Sequence, residues 1–214
     1  MTRITVLGGT GYAGGHIVRE AAARGHEVTS VSRTLPDAPT PGVTYREGDV
    51  LDPTTVAQAV AGADVVVHAL APRGELEGQL EDVAREVAAA AAAAGVRAGF
   101  VGGAGSLLAS DGGPLVADGP DFPAAFQAEA RTMATTLDEL RASDEALDWF
   151  MVSPSAGFGA FAPGERTGRY RTGGDVLLVD AEGGSFIGGE DFALAFVDEI
   201  ERPTHRRTRF TVGY

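Results

Sequence analysis

Residues 4 to 15 read Ile4-Thr5-Val6-Leu7-Gly8-Gly9-Thr10-Gly11-Tyr12-Ala13-Gly14-Gly15. The apolar, β-branched start predicts a buried strand, and the run after Gly15 predicts a helix. Gly8, Gly11 and Gly14 let the backbone turn tightly, approach a pyrophosphate and pack the helix on the strand. Glycine-rich turns also occur for steric reasons alone, but the flanking strand and helix favour dinucleotide binding at the helix N-terminus. The predicted contacts are Gly8, Thr10, Gly11, Tyr12, Ala13 and Gly14.

The second predicted strand, from Glu27 to Arg33, ends where a dinucleotide-binding fold meets the adenosine ribose. A carboxylate there would bind the 2′-hydroxyl of NAD, whereas an arginine would bind the 2′-phosphate of NADP. The strand ends in Ser32 and Arg33, with no carboxylate before Asp37. We therefore predict NADP(H) in preference to NAD(H), with Arg33 and Ser32 at the phosphate. The alternative is a solvated surface arginine.

The rest of the chain alternates strand-like and helix-like segments. This pattern predicts an α/β fold with a doubly wound parallel sheet. We expect one NAD(P)-binding domain over residues 1–214, in which residues 155–214 form a small region that covers the substrate crevice. The predicted strands after the second are 43–48, 63–72, 97–101, 148–154 and 207–213. The predicted helices are 14–25, 53–62, 78–95, 124–142 and 190–202. Residues 172–175 are predicted to form a hairpin turn.

Further cofactor contacts are expected where the parallel strands end, because ligands bind there in open α/β sheets. Asp49 and Val50 would meet the adenine, although Asp49 is equally explained as a turn residue. Ala69, Leu70 and Ala71 would border the ribose and the pyrophosphate. His68, just before them in an apolar strand, is interpreted as a core residue.

The nicotinamide is expected between two small-residue segments that follow the fifth and sixth strands. Gly103, Ser153 and Pro154 are the predicted contacts. Ser106 carries the only hydroxyl of the glycine-rich segment and is the catalytic candidate, although a serine that caps a turn is common.

Composition excludes several classes of function. The chain contains no cysteine, which removes disulfides, thiol nucleophiles and thiolate metal sites. Its formal net charge of −13 disfavours duplex nucleic acid and anionic membranes as partners. No apolar run is long enough to span a bilayer, and the N-terminus lacks a signal-peptide pattern, so we expect a cytoplasmic location.

All 17 basic residues are arginine, so the chain contains no lysine. Schiff-base chemistry is therefore excluded. A Tyr-x-x-x-Lys pair, in which lysine lowers the tyrosine pKa for proton transfer to an alkoxide, is excluded as well. The tyrosines stand only at 12, 45, 170 and 214.

Several motifs together resemble the atypical short-chain dehydrogenase/reductases of the NAD(P)H-flavin reductase type. The resemblance covers nearly the whole chain and extends to biliverdin-IXβ/flavin reductases and, more distantly, NmrA-like proteins. The motifs are residues 8–15, 102–106, 148–149, 153–154, 164–168, 190–193 and 209–214.

The resemblance implies an oxidoreductase that passes hydride from NAD(P)H to a stacked flavin, FMN or FAD, or to a quinone-like acceptor. Such an acceptor delocalises charge and takes its proton from solvent, so a lysine-free crevice suits it. Phe158, Phe161 and Arg166 are the candidate acceptor contacts. Core packing is the alternative for the phenylalanines, and a surface ion pair is the alternative for Arg166. NmrA-like relatives imply a different function, in which the protein binds NADP(H) without turnover and reports the redox ratio to a protein partner. Isomerase or epimerase chemistry ranks last, because related enzymes need the Tyr/Lys pair.

Overall fold

Eight strands and five helices alternate along most of the chain in the computed structural model, which describes residues 1–214. The strands are β1 (Arg3–Leu7), β2 (Glu27–Ser32), β3 (Val43–Glu47), β4 (Val65–His68), β5 (Arg97–Val101), β6 (Trp149–Pro154), β7 (Arg171–Gly173) and β8 (Thr208–Gly213). The helices are α1 (Tyr12–Ala23), α2 (Pro53–Val60), α3 (Leu80–Ala94), α4 (Gln127–Arg141) and α5 (Gly189–Glu201). No helix combines the length and the apolar character that a bilayer crossing requires.

The strands form one sheet in the order β3-β2-β1-β4-β5-β6-β8-β7. All pairs are parallel except β7 with β8. The first six strands have the doubly wound order 3-2-1-4-5-6, so the predicted fold class is confirmed. The order reverses between β1 and β4, and their carboxyl ends open a crevice at that point.

The core lies on both faces of the sheet because successive strand residues point to opposite sides. Trp149 and Met151 of β6 pack in the cluster that contains residues of α2, α3 and α4. Phe150 and Val152 pack in the opposite cluster with residues of α1 and α5. Strands buried on both faces read as the continuous apolar runs seen in the sequence.

Two predicted helix ends are confirmed by their cap geometry. Asp52 precedes α2, and its carboxylate accepts a hydrogen bond from the backbone N–H of Thr54 at 2.9 Å. Gly95 ends α3 in the left-handed conformation, with φ of 64°. By contrast, no side chain caps the N-terminus of α1.

The predicted hairpin turn at residues 172–175 is wrong. Thr172 and Gly173 lie in β7, which pairs antiparallel with β8 in the register Arg171 to Gly213. The Thr-Gly-Gly-Asp sequence is typical of a turn, but pairing with a strand far along the chain overrides that local preference.

The fourth strand is shorter than predicted, because β4 ends at His68. Its neighbour β1 ends at Leu7, opposite His68. The next residues, 69–71, therefore leave the sheet and become available to the crevice.

Candidate functional site

A large cleft runs along the carboxyl ends of the parallel strands. Its volume is about 1170 Å³, and it extends from Asp49 after β3 to Pro154 at the end of β6. Pockets for one small molecule measure about 300–1,000 Å³. The cleft is therefore large enough for an extended dinucleotide with a second molecule beside it.

The glycine turn forms the floor of the cleft, and steric contacts explain two of its glycines. Gly8 has φ of +83°, and a Cβ there would lie 2.6 Å from the carbonyl oxygen of Ala69. A Cβ on Gly14 would lie 2.3 Å from the carbonyl oxygen of Gly8. Gly14 does not line the cleft itself, and its missing side chain lets α1 pack against the turn.

The N-terminus of α1 suits an anionic group. Thr10, Gly11, Tyr12 and Ala13 line the cleft, and no side chain occupies the cap position. The N–H groups of the first helical turn lack i−4 partners and carry the positive end of the helix dipole. These residues fit a pyrophosphate. A Cβ at Gly8 or Gly14 would fill the space that the glycine turn leaves open, and the turn continues into the uncapped N–H groups of α1.

The residues predicted for the ribose phosphate lie at one end of the cleft. The Ser32 hydroxyl accepts a hydrogen bond from the Thr10 N–H at 3.3 Å, which joins β2 to the glycine turn. Arg33 also lines the cleft, and its Nη1 lies 2.6 Å from Oε2 of Glu75. Both side chains are more than half exposed. A 2′-phosphate at Arg33 would therefore compete with the Glu75 carboxylate.

The expected adenine and ribose contacts also border the cleft. Asp49 and Val50 both line it, and the Asp49 carboxylate accepts a hydrogen bond from the Leu51 N–H at 3.0 Å. Asp49 is therefore a turn residue, which was the alternative interpretation of the sequence, and it also lines the cleft. Residues 69–71 line the cleft as well.

The expected nicotinamide contacts divide into two groups. Gly103 and Pro154 line the cleft, but Ser153 does not. Ser153 is fully buried, and its hydroxyl lies beneath Gly102, where a Cβ would approach it within 2.6 Å. Ser153 therefore packs against Gly102 in the turn after β5.

The structure places the catalytic candidate Ser106 outside the cleft. Ser106 is buried, and its hydroxyl donates to the carbonyl of Gly103 at 2.9 Å. The buried Arg209 donates from Nη1 to the Ser106 carbonyl at 2.8 Å and to its hydroxyl at 3.2 Å. These bonds hold the glycine turn after β5 in shape, and Ser106 does not line the cleft.

Aromatic side chains surround the end of the cleft beyond Gly103. Phe122 and Phe126 come from the segment before α4, and Phe158 and Phe161 come from the loop after β6. Phe126 and Phe161 are 40% and 71% exposed, and their ring centroids are 6.5 Å apart with an interplanar angle of 27°. Phe158 instead packs edge-on against Tyr12, at 5.2 Å between ring centroids. The sequence singled out Phe158 and Phe161 but not Phe122 and Phe126.

Arg166 lies away from the cleft. Its Nη1 donates to Glu20 of α1 at 2.6 Å, and Glu20 also accepts from Arg24. Burial raises the pKa of Glu20, but the hydrogen bonds from Arg166 and Arg24 outweigh it and hold the pKa below its ordinary value. The surface ion pair that the sequence left as an alternative for Arg166 is therefore what the structure contains.

Residues 8–203 match the model of the NAD(P)H-binding protein family. This chain belongs to that family. It is 35% identical to "Uncharacterized protein YwnB" of Bacillus subtilis, over 98% of this chain and 97% of that protein. A crystal structure from Burkholderia pseudomallei, named a "putative exported protein", is 41% identical with a TM-score of 0.88 and full coverage of both chains. A Streptococcus pneumoniae structure named a "putative NADH-flavin reductase" is 30% identical with a TM-score of 0.87, over 100% of this chain and 99% of that one.

The lining of the cleft carries more negative than positive charge. Its lining includes only two basic residues, Arg33 and Arg73, and each is paired with a glutamate. Arg73 lies 3.0 Å from Glu129 of α4. The lining also includes Asp49 and Asp121, so the cleft has four carboxylates for two guanidinium groups.

A buried carboxylate joins three of the sequence motifs, residues 164–168, 190–193 and 209–214. Asp191, in the first turn of α5, is fully buried. It accepts hydrogen bonds from the Thr167 N–H and hydroxyl, the Gly168 N–H and the hydroxyl of the terminal Tyr214, at 2.6 to 2.9 Å. Burial raises the pKa of Asp191, but these donors hold it below its ordinary value. The motifs meet at a structural joint rather than at the cleft.

The covering region of the cleft differs in part from the prediction. From residues 155–214, only positions between 155 and 161 line the cleft, whereas α5 and β8 extend the sheet and its helical layer. Much of the cover comes instead from the segment between Val116 and Met133. The sequence offered a partial signal there, since residues 126–130 stand where a Tyr-x-x-x-Lys pair would be expected. Glu75 and Phe122 carried no signal, because only the fold brings them to the cleft.

Proposed function

We propose that this protein is an NAD(P)H-dependent reductase whose acceptor is a planar, conjugated molecule of the flavin or quinone type. The observation that supports this most is the exposed aromatic pair of Phe126 and Phe161. The ring centroids are 6.5 Å apart and both rings are exposed, so they offer an apolar surface on which one face of a flat molecule can stack while its other face meets the nicotinamide.

The cofactor, when bound, supplies two electrons and one proton as a hydride, and the acceptor needs one further proton from solvent to be fully reduced. The chain's own residues bind and orient the two molecules. The uncapped N-terminus of α1 holds the pyrophosphate, and Gly102, Gly103 and Pro154 let the nicotinamide lie against the backbone. Stacking then brings the reacting rings together, which is the main contribution required of the protein.

The groups that line the cleft favour such an acceptor over a ketone. Tyr12 is the only tyrosine in the lining, and its hydroxyl donates to the carbonyl of Pro163 at 3.2 Å. Glu129 is engaged with Arg73, and the chain has no lysine. An alkoxide would therefore lack a positioned acid, whereas a reduced flavin or quinone delocalises its charge and takes a proton from water.

We further propose that NADP(H) is preferred over NAD(H). Arg33 lines the cleft where β2 ends, and no carboxylate follows β2 directly. Binding of the 2′-phosphate would exchange one anionic partner of Arg33, Glu75, for a more highly charged one.

The test is anaerobic oxidation of NADPH, compared with NADH, followed by the loss of reduced-nicotinamide absorbance with riboflavin, FMN and a small quinone as acceptors. Saturable turnover that prefers NADPH is the expected result. Phe126→Leu should raise the KM for the acceptor about three- to tenfold, because it removes one face of the stack, and should leave the KM for NADPH unchanged. Val179→Ala, which alters an exposed apolar side chain outside the cleft, is the matched control.

Tight NADPH binding without reduction of any of these acceptors would contradict the reductase. It would favour the second candidate, an NmrA-like protein that senses the redox ratio without turnover.

A further inference from the structure

The half of the cleft that would receive the acceptor has no free positive charge. We call it the acceptor end and define it by the lining residues from Val116 to Met133 and from Phe158 to Phe161. Its charged residues are Asp121, which is exposed, and Glu129, which is partly buried. The nearest guanidinium in the lining is that of Arg73, and it is already committed to Glu129 through Nη2 at 3.0 Å and Nε at 3.3 Å.

Glu129 is held in place from two sides. It lies in the first turn of α4, where the positive end of the helix dipole stabilises a carboxylate. Arg73 reaches it from the loop after β4, across the cleft. A ligand anion that sought Arg73 would have to displace this carboxylate and would then lie close to it.

We infer that the acceptor is a planar molecule without a phosphate group, and that Glu129 and Asp121 disfavour phosphate-bearing flavins. This inference rests on the proposed function, because it names the class of acceptor for the same cleft. Riboflavin, FMN and FAD share one isoalloxazine ring and differ in the charged groups attached to its ribityl chain. Phe126 and Phe161 would contact the isoalloxazine ring in the same way in all three flavins. Differences in affinity among the three therefore arise from the carboxylates of Glu129 and Asp121.

Equilibrium binding tests this without turnover. The protein is saturated with NADP⁺, which cannot reduce a flavin, and titrated into riboflavin or FMN while flavin fluorescence is measured. We expect FMN to bind about tenfold more weakly than riboflavin at low salt, because its phosphate approaches one or two carboxylates at short range. The difference should shrink at high ionic strength, since screening weakens repulsion between exposed charges.

The Glu129→Gln variant tests whether the Glu129 carboxylate causes the weaker binding of FMN. This substitution removes a negative charge and releases Arg73, so the ratio of FMN to riboflavin dissociation constants should fall to about one or lower. Glu139→Gln is the matched control on the same helix, because Glu139 pairs with Arg85 outside the cleft, and it should leave the ratio unchanged.

The inference is overturned if wild-type protein binds FMN as tightly as riboflavin, or if Glu129→Gln and Glu139→Gln change the ratio equally. Its failure is separable from failure of the proposed function. FMN bound and reduced as well as riboflavin would refute the inference and leave the reductase intact. Riboflavin bound in preference to FMN but never reduced would support the selection against phosphate by Glu129 and Asp121 and would refute the reductase.

Discussion

Gly14 is a sharp test of how the glycine turn works, because it does not line the cleft. In Gly14→Ala the new Cβ would lie 2.3 Å from the Gly8 carbonyl oxygen, and real contacts of this kind are not shorter than 3.0 Å. The carbonyl must therefore move by about 0.7 Å or more. Gly8 has little room to do so, since its N–H donates to Val31 at 2.9 Å and Ala69 lies on its other side.

The displacement should appear as weaker cofactor binding. A shift of this size moves N–H groups out of hydrogen-bonding range of a pyrophosphate, and one charge-assisted hydrogen bond contributes about 1.5–3 kcal/mol. We therefore expect Gly14→Ala to weaken NADPH binding about 10- to 100-fold, measured by isothermal titration calorimetry.

Gly15→Ala is the control, one residue further along α1. Its Cβ would meet only the Arg19 guanidinium at 3.4 Å and the Gly9 carbonyl at 3.6 Å, which are ordinary contacts. This variant should bind NADPH like the wild type and should be stabilised by about 0.5–1 kcal/mol, because alanine is a better helix former. A folded Gly14→Ala protein that binds NADPH within about threefold of the wild type would refute the reasoning.

Three further changes test the cofactor preference, the structural joint and the core histidine. Glu75→Gln removes the competitor for Arg33 and should increase the preference for NADPH over NADH in dissociation constants by about fivefold; an unchanged preference would mean that Arg33 does not meet the 2′-phosphate. Asp191→Asn replaces one acceptor oxygen with an NH2 donor and removes the charge that four hydrogen-bond donors stabilise, so it should lower the free energy of unfolding in urea by about 2–4 kcal/mol, whereas Tyr214→Phe should cost about 1 kcal/mol, and equal losses would contradict the proposed network. Burial lowers the pKa of His68 from 6.5 to about 4, so the unfolded chain gains a proton in this window before the folded protein does. Stability should therefore fall by about 3 kcal/mol as the pH drops from about 6.5 to 4, and His68→Leu should remove this part of the slope; a slope identical to that of the wild type would show that His68 is not its source.

The sequence predicted the fold well where a local signal and the tertiary structure agree. Asp52-Pro53 begins α2 and Gly95 ends α3 through contacts with immediate neighbours, so the residue types at these positions suffice to predict them. Thr172 and Gly173 show the opposite case. Their local preference is for a turn, yet β8 offers a row of hydrogen-bonding partners that only the complete fold brings beside them.

The residues of the candidate site also fall into those that local sequence patterns predicted and those whose roles only the fold explains. The glycine turn and the residues after β3 and β4 could be found from the chain, because the carboxyl ends of parallel strands meet at one edge of the sheet. Ser106 and Arg166 are polar residues in suitable motifs, but their partners are Arg209 and Glu20, distant in sequence. No local pattern could show that these distant groups engage them.

By itself, the sequence determined the doubly wound α/β fold, the turn that suits a dinucleotide and the absence of any lysine for proton transfer. These follow from periodicity, glycine spacing and composition, which are properties of neighbouring residues. Only the tertiary structure decided which charges remain free in the cleft. Arg33 and Arg73 are both opposed by glutamates, Glu75 and Glu129, from separate segments, and Phe126 lies beside Phe161. Ion pairs and ring stacking depend on distances of a few ångströms between segments far apart in the chain, and those distances exist only once the chain has folded.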